Sequence, residues 1–353
     1  MKAMAAKAGL LSRVLLVLAL GVVFVPGSVA QQSTAAPEAT PAQAEVQRQQ
    51  SQPGNNAPVW REVRKGGPQY TSIPGRETNV LIQTYGQTWR ELRNGPITFW
   101  GGWLVVLVVV AIGLFYQWKG PIPLRERPTG RLIERFSSFE RIAHWTMAIS
   151  FCILAISGLI ILFGKHVLLP VIGYTLFAWL TQLCKHLHNF VGPIFIFSIL
   201  VSIVTFIRDN LPSAGDIRWL ATFGGMFSGK EVPAGRFNAG QKGWFWIGVV
   251  ILGIVMSASG LVLDFPNFDQ TRAIMIDADV IHSIGALLFI AAGLGHIYIG
   301  TIGMVGAYDA MRHGYVDEAW AREHHELWYN DVKSGKVKAG SAIGMPAAPQ
   351  AQH

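Results

Sequence analysis

Charged residues and cysteines are scarce in this sequence, and each scarcity excludes a class of protein. Only 14% of the 353 residues are charged, whereas 51% are hydrophobic, a balance typical of membrane proteins and not of soluble ones. The two cysteines, Cys152 and Cys184, lie in or beside apolar segments, and neither belongs to a Cys-x-x-Cys-His motif. This excludes a c-type cytochrome and argues against a disulfide framework.

The first 30 residues have the parts of a secretory signal peptide. Val14 to Val25 form an apolar run that is too short to span a bilayer comfortably, which disfavours the alternative of an uncleaved anchor. The basic start and the small-residue cleavage site consist of Lys2, Lys7, Arg13 and Ser28-Val29-Ala30. Residues 31–96 are expected to lie outside the cytoplasm. Their first part is rich in Gln, Ala and Pro, as in a linker, and the remainder is a small segment without a chemical motif.

Five long apolar segments follow, each long enough to cross the hydrocarbon core of a membrane. Trp and Tyr residues border the first segment at both ends, as expected at a membrane interface. The predicted spans are residues 97–118, 142–163, 186–207, 243–263 and 280–303. The sequence therefore predicts an all-α, multi-pass integral membrane protein.

The positions of Lys and Arg predict the orientation of the spans and account for the net charge of +8, so a nucleic-acid partner is not expected. Residues 119–141 contain six basic residues and residues 208–242 contain five, whereas residues 264–279 contain one Arg and four Asp. Because basic loops face the cytoplasm, we expect a periplasmic N-terminus and a cytoplasmic tail at residues 306–353. If the apolar residues 167–183 also crossed the membrane, the basic loop at residues 208–242 would face the outside. We therefore interpret residues 167–183 as a short helix at the outer surface.

Two histidines in the last span, His282 and His296, are candidates for binding iron. Their spacing of 14 residues brings both rings within about 40° of one helix face and about 21 Å apart along the axis. Small residues flank both histidines, so a bulky, flat group could approach the helix there. Ionisable residues inside a membrane are functional candidates by default, and two polar residues packed inside a helix bundle are the alternative.

Two further histidines lie at matching depths in other spans. His188 matches His282 near the outer side, and His144 matches His296 near the cytoplasmic side. Two bis-histidine iron sites, one above the other, would carry electrons and leave no open iron position for oxygen chemistry. His186 is the rival of His188, but residues two apart on a helix point in nearly opposite directions, so only one of them can face the bundle.

The tail contains another histidine pair, His324-His325. The two residues could hold a metal ion, but neighbours on a helix diverge by about 100°. No cysteine lies near them in the sequence. A solvated or partner-facing role is therefore favoured.

Six short motifs occur in order along the chain. They are Arg135-Phe136 with Arg141-Ile142-Ala143-His144-Trp145, Leu187-His188-Asn189-Phe190-Val191-Gly192, Asn238-Ala239-Gly240-Gln241-Lys242, Ile281-His282-Ser283, Gly295-His296-Ile297-Tyr298 and His324-His325-Glu326-Leu327-Trp328-Tyr329. Over about residues 131–332 the chain resembles the gamma subunit of membrane-bound formate dehydrogenase, a di-haem cytochrome b. The resemblance implies a four-helix haem-binding bundle at residues 131–305, and the preceding residues resemble a longer form of the family with a signal peptide and an additional N-terminal span at residues 97–118.

The resemblance also implies cofactors and partners. Electrons would come from formate, oxidised by a molybdenum or tungsten alpha subunit and delivered by an iron–sulfur beta subunit at a bacterial inner membrane, so this chain would hold no catalytic residue for formate. The implied site residues are His144, His188, His282 and His296 as axial ligands of two haems b, and Asn238, Gly240 and Gln241 around a quinone near His296. From the residues alone, the Asn-Ala-Gly-Gln-Lys stretch either offers amides to a quinone carbonyl or forms an ordinary loop-to-helix turn.

Two other functions are compatible with this pattern. The cytochrome b subunits of hydrogenases and thiosulfate reductases share the four-helix di-haem design, although the Asn-Ala-Gly-Gln-Lys and His-His-x-x-Trp-Tyr stretches favour formate dehydrogenase. A haem-free membrane anchor or a transporter is an alternative of a different class. An optical difference spectrum separates the cytochromes from this last class, because only a cytochrome shows b-type bands.

Overall fold

The computed structural model describes residues 84–225 and 232–337, together with a few isolated positions before residue 84. The predicted signal peptide, most of the predicted linker and the end of the tail lie outside the described residues. The chain divides into two compact units. One comprises the described residues up to Phe99 together with Pro266–Val280, and the other comprises Trp100–Phe265 and the described residues from Ile281 onwards.

Five helical segments in the described part of the chain are long and apolar enough to cross a membrane, which confirms the predicted all-α membrane fold. Each one overlaps a predicted span. The segments are Gly86–Lys119, Ser138–Val167, Leu169–Phe206, Ala239–Asp264 and Arg272–Gly303.

The N-terminal span is built from two helices joined by a wide turn. Helix α1 covers Thr84–Leu92, a π-helical turn follows at Arg93–Ile97, and α2 covers Thr98–Lys119. Gly95 has non-helical dihedral angles and Pro96 lies next to it, so the regular hydrogen-bond ladder is interrupted here. The break falls just before residue 97, where the first predicted span begins.

Helices α3 and α4 form an antiparallel hairpin with almost no loop. Helix α3, Ser138–Val167, begins with a capping box, in which Ser137 Oγ accepts a hydrogen bond from Glu140 N and Glu140 Oε2 accepts one from Ser137 N. Helix α4, Leu169–Phe206, starts two residues after α3 ends.

The separate surface helix predicted at residues 167–183 is not present, because residues 169–183 belong to the long helix α4. Gly173, with φ 74°, forms a kink after the first turn, and the helix continues from residue 174 to Phe206. Residues 174–206 then extend over about 50 Å, well beyond a hydrocarbon core of about 30 Å. Pro170 is harmless because a proline in the first turn of a helix breaks no hydrogen bond.

A short connecting region leads to the fourth span. It contains a 3₁₀ turn at Arg208–Asn210, helix α5 at Asp216–Ala221 and a second 3₁₀ turn at Phe223–Gly225. Helix α6 covers Ala239–Gly243, and a π-helical stretch, Trp244–Leu252, joins it to α7, Gly253–Asp264. Lys242 Nζ lies 2.9 Å from Asp216 Oδ2, which ties the start of this span to α5. Burial opposes ionisation of Asp216, but hydrogen bonds from Lys242 and Ser213 outweigh it and lower the pKa of this carboxyl.

The last span continues into a folded tail. Helix α8, Arg272–Tyr298, ends in a π-helical turn at Ile299–Gly303. Beyond it lie α9 (Ala307–His313), strand β2 (Tyr315–Asp317), α10 (Glu318–His324) and α11 (Glu326–Lys333). Strand β2 pairs antiparallel with β1, Leu132–Glu134, in the loop before α3.

Arg135 and Arg236 join the two basic loops to each other, and Arg135 also contacts the tail. Arg135 Nη2 donates to the backbone oxygen of Arg236 at 2.8 Å, and Arg236 Nη2 donates to that of Arg135 at 2.6 Å. Arg236 also pairs with Glu140, whereas the Arg135 guanidinium lies 4.8 Å above the Trp320 ring. Burial and the neighbouring Arg236 lower the pKa of Arg135 to about 9.

His324 and His325 are buried in this region, so the prediction of a solvated or partner-facing role is wrong. His325 is 1% exposed, and its Nδ1–H donates to the backbone oxygen of Gly235 at 2.7 Å. Leu327 N donates to Ala234 O at 3.1 Å, which anchors the same loop. Burial, reinforced by the positive charge of Arg135, holds the pKa of His325 well below its ordinary value.

A candidate site of paired histidines

The predicted partners His188 and His282 face each other across α4 and α8. Their ring centroids are 6.0 Å apart, with an angle of 72° between the ring planes. Each ring also contacts a serine hydroxyl from a neighbouring helix, Ser157 of α3 for His188 and Ser259 of α7 for His282. The pair is therefore held by four different helices of one compact unit.

His144 and His296 face each other in the same way across α3 and α8. Their ring centroids lie 6.4 Å apart with an interplanar angle of 57°. The indole of Trp244 is stacked on His296 at 4.7 Å with an angle of only 9°. His144 Nδ1 is buried and has no hydrogen-bond partner within the described ranges.

The separation within each pair fits an iron between two imidazoles. Two metal–nitrogen bonds of about 2 Å each place the ring centroids about 6 Å apart, as in both pairs. No group of three or more His, Cys, Asp or Glu residues lies together in the described part of the chain, so a bare metal ion would lack a ligand cluster. A haem needs only the two axial nitrogens, because its porphyrin supplies the other four.

A small residue stands four positions after each of the four histidines, on the same helix face. A Cβ added at Gly192 or Gly300 would meet no heavy atom of the described residues within 4 Å, apart from its chain neighbours and its own helix backbone, so open space lies beside the helix at both positions. The four small residues that follow the histidines are Ala148, Gly192, Ala286 and Gly300. The repetition could have been found in the sequence by comparing the four histidines at this spacing. The open space at Gly192 and Gly300 leaves room for a flat macrocycle beside His188 and His296.

His186, the sequence rival of His188, is exposed and lies away from the pair. Among the described residues it makes only a long contact of 3.5 Å with Gln182 on its own helix. The structure thus brings His188, and not His186, to His282. The direction follows from the helix period, because residues two apart differ by about 200°.

The amides of Asn238 and Gln241 form a capping box at the start of α6. Asn238 Oδ1 accepts a hydrogen bond from Gln241 N at 2.9 Å, and Gln241 Oε1 accepts one from Asn238 N at 3.0 Å. The two side-chain nitrogens form no hydrogen bond within the part of the chain that the structure describes. The box therefore holds both amides with their oxygens occupied and their donors available.

Gly240 has a structural reason for its missing side chain. A Cβ at this position would lie 2.7 Å from the Trp219 indole, which also packs against Gly224. The glycine admits the protein's own tryptophan between α5 and α6. Close packing within the chain thus accounts for Gly240 without a ligand.

Apolar helices that cross a membrane and carry facing histidines at two levels have the architecture of a membrane-bound cytochrome b. Sequence comparison agrees, because the family profile of prokaryotic cytochrome b561 matches residues 135–314. The chain belongs to this family, whose membership implies haem b.

The curated relatives are cytochrome subunits of formate dehydrogenases. The cytochrome b556(fdo) subunit of Escherichia coli K12 is 33% identical over 210 residues, which cover 58% of this chain and 96% of that protein. The nitrate-inducible cytochrome b556(Fdn) subunit of the same strain is 28% identical over 226 residues, 61% of this chain and 98% of that protein. The corresponding Haemophilus influenzae subunit is 26% identical over 217 residues, 58% of this chain and 86% of that protein. This chain is an electron-transferring membrane cytochrome b subunit.

Proposed function

We propose that this chain carries electrons from a formate dehydrogenase module through two haems b to a membrane quinone. The observation that supports this proposal most is the presence of two facing histidine pairs, each with one member on α8. His188 and His282 would hold one haem, and His144 and His296 the other. Their ligands on α8 are 14 residues apart, which sets the two haem levels about 21 Å apart. When bound, each haem supplies a reversible one-electron couple with no open iron position.

The quinone is proposed to bind beside the His144–His296 level. Gln241 and Trp244 are three residues apart at the start of the fourth span, so both lie on one helix face. Trp244 in turn stacks on His296. The amide nitrogens of Asn238 and Gln241 are free to donate to a quinone carbonyl, and such a bond strengthens as the oxygen gains charge on reduction. Gly240 would contribute by admitting Trp219 and thereby shaping this surface.

The proposed partners are an iron–sulfur beta subunit and a molybdenum or tungsten alpha subunit. The names of the relatives, formate dehydrogenase cytochrome subunits, support this assignment. The basic loops support an orientation in the inner membrane with a periplasmic N-terminus and a cytoplasmic tail. Electrons would then enter at the His188–His282 level and leave at the His144–His296 level, where the cytoplasm supplies the protons for quinone reduction.

The proposed haem sites are tested by haem content. In complexes purified from native membranes, His188→Ala and His282→Ala should each remove the same haem, and His144→Ala and His296→Ala should each remove the other. His186→Ala is the matched control, because this exposed residue lies two positions from His188, and it should keep both haems. Loss of a haem in His186→Ala with retention in His188→Ala would refute the assignment. The subunits that co-purify identify the electron donor and separate formate dehydrogenase from hydrogenase or thiosulfate reductase.

A further inference from the structure

Each histidine of the His188–His282 pair contacts a buried serine on an adjacent helix. Ser157 Oγ lies 2.8 Å from His188 Nδ1, and Ser259 Oγ lies 3.0 Å from His282 Nδ1. The serines are 2% and 7% exposed, respectively, so water does not compete strongly for their hydroxyls. His144 Nδ1, at the other level, has no such partner among the described residues.

Each serine also has a backbone acceptor, which fits the tautomer that iron ligation requires. Ser157 Oγ lies 2.7 Å from Ile153 O, and Ser259 Oγ lies 2.7 Å from Val255 O. A ring that binds iron through Nε2 keeps its proton on Nδ1. Each hydroxyl would then accept a hydrogen bond from Nδ1–H and donate its one hydrogen to the backbone oxygen.

The same two-residue arrangement occurs twice, on α3 and on α7. Gly158 follows Ser157, and Gly260 follows Ser259. A Cβ added to either glycine would lie 3.3 Å from Cε1 of the facing histidine, closer than ordinary van der Waals contact. Each Ser-Gly pair thus supplies an acceptor for Nδ1 and leaves space for the ring edge. Two occurrences on separate helices make a chance packing contact a poor explanation.

We propose that Ser157 and Ser259 are positioning residues that hold His188 and His282 in the Nδ1–H tautomer and lower the reduction potential of the haem between them. The inference rests on the proposed haem ligation. A hydrogen bond from Nδ1–H to an acceptor makes the imidazole a stronger electron donor, which stabilises ferric iron relative to ferrous iron. The iron gains one electron on reduction, and the proton stays on Nδ1 in both states.

The test is a spectroelectrochemical redox titration of the purified complex, in which His188→Ala first identifies the spectral component of this haem. Ser157→Ala and Ser259→Ala should each raise the midpoint potential of that component and leave the other unchanged. A tenfold change in the redox equilibrium corresponds to about 59 mV for one electron, which is the order expected for the double variant.

Two serines of the same helices serve as matched controls. Ser150 Oγ donates to Thr146 O and Ser257 Oγ donates to Gly253 O, both at 2.7 Å, and neither contacts a histidine of the described residues. Ser150→Ala and Ser257→Ala lose the same kind of hydroxyl-to-backbone bond and should shift neither potential. Ser157→Thr and Ser259→Thr retain a hydroxyl and should restore the wild-type potential.

The outcomes separate this inference from the proposed function. A wild-type complex without two b-type components would refute the proposed function itself. Two components whose potentials are unchanged in both alanine variants would refute the serine proposal alone. If the alanine variants lose the haem, retention in the threonine variants supports the hydroxyl role, whereas loss in both series shows that side-chain shape and not the hydroxyl is required, and overturns the proposal.

Discussion

The indole of Trp244 lies flat on the imidazole of His296, 4.7 Å away and tilted by 9°. Trp244 begins the π-helical stretch Trp244–Leu252, directly after the short helix that carries Gln241. The stack therefore connects Gln241, one of the two proposed quinone amides, with one proposed haem ligand over less than one turn of helix. It also restricts rotation of the His296 ring, because a flat contact is lost when either ring turns.

The first prediction concerns this stack. In Trp244→Leu we expect a changed low-spin electron paramagnetic resonance signal of the haem held by His144 and His296, because its ligand ring can rotate. Trp244→Phe should stay close to wild type, since a ring remains. Trp246→Leu is the control, because Trp246 donates to Asn210 O and has no contact with His296. Identical spectra for Trp244→Leu and wild type would show that the stack does not orient the ligand.

The second prediction separates the two roles of the capping-box amides. Gln241→Glu and Asn238→Asp keep the oxygens that cap α6 but lose the amide donors. We expect both to retain two haems, to be reduced normally by the donor subunits, and to be reoxidised by quinone more slowly. A lost hydrogen bond of about 0.5–1.5 kcal/mol corresponds to a reduction of up to about tenfold.

The control for that experiment is Gln241→Ala, which also removes the half of the capping box in which Gln241 Oε1 accepts from Asn238 N. It should lower the melting temperature, because the loss of this hydrogen bond costs about 1 kcal/mol. Stopped-flow traces at the haem bands measure the reoxidation rate. Wild-type reoxidation in both acidic variants would place the quinone away from these amides.

The third prediction uses the small residues beside the histidines. Gly192→Leu and Gly300→Leu put a branched side chain into the open space one turn after His188 and His296. We expect each to lower the haem content from two to one per chain, each at a different level. Gly192→Ala should keep most of the haem, because a methyl group meets nothing within 4 Å. A full complement of haem in both leucine variants would contradict the proposed haem positions.

The fourth prediction is a pH dependence of stability. In the unfolded chain, His325 becomes protonated near pH 6.5. In the folded protein, burial lowers the pKa of His325, so the ring stays neutral until the pH is well below 6.5. Its contribution to stability is thus complete above about pH 6.5 and is lost as the pH falls below that value, by at most about 1.4 kcal/mol per pH unit. His325→Asn retains a donor for Gly235 O and does not titrate.

Thermal unfolding between pH 5 and 7.5 measures this effect. The wild-type melting temperature should fall on acidification below pH 6.5, and that of His325→Asn should fall less. His313→Asn is a control from the exposed end of α9, where no buried ring is involved. Equal pH slopes for wild type and His325→Asn would show that His325 does not control the acid stability of the tail.

Much of this architecture could be predicted from local patterns. The five spans follow from the length and hydrophobicity of each segment, and these are properties of residues adjacent in sequence. The 14-residue spacing of His282 and His296 places both on one helix face for the same reason. The position of each histidine within its span gives its depth in the bilayer. These depths were sufficient to match His188 with His282 and His144 with His296.

Only the tertiary structure decided the contacts that depend on how the helices rotate and shift against one another. Ser157 and His188 are 31 residues apart, and Ser259 and His282 are 23 apart, so no helical period links them. The burial of His325 depends on the tail folding back over the loop at Gly235, and polar composition predicted the opposite. Helix α4 runs through residues 174–183 because the kink at Gly173 after the first turn does not end the helix. Sequence periodicity determines which face a residue occupies, whereas the packing of separate helices determines what that face meets.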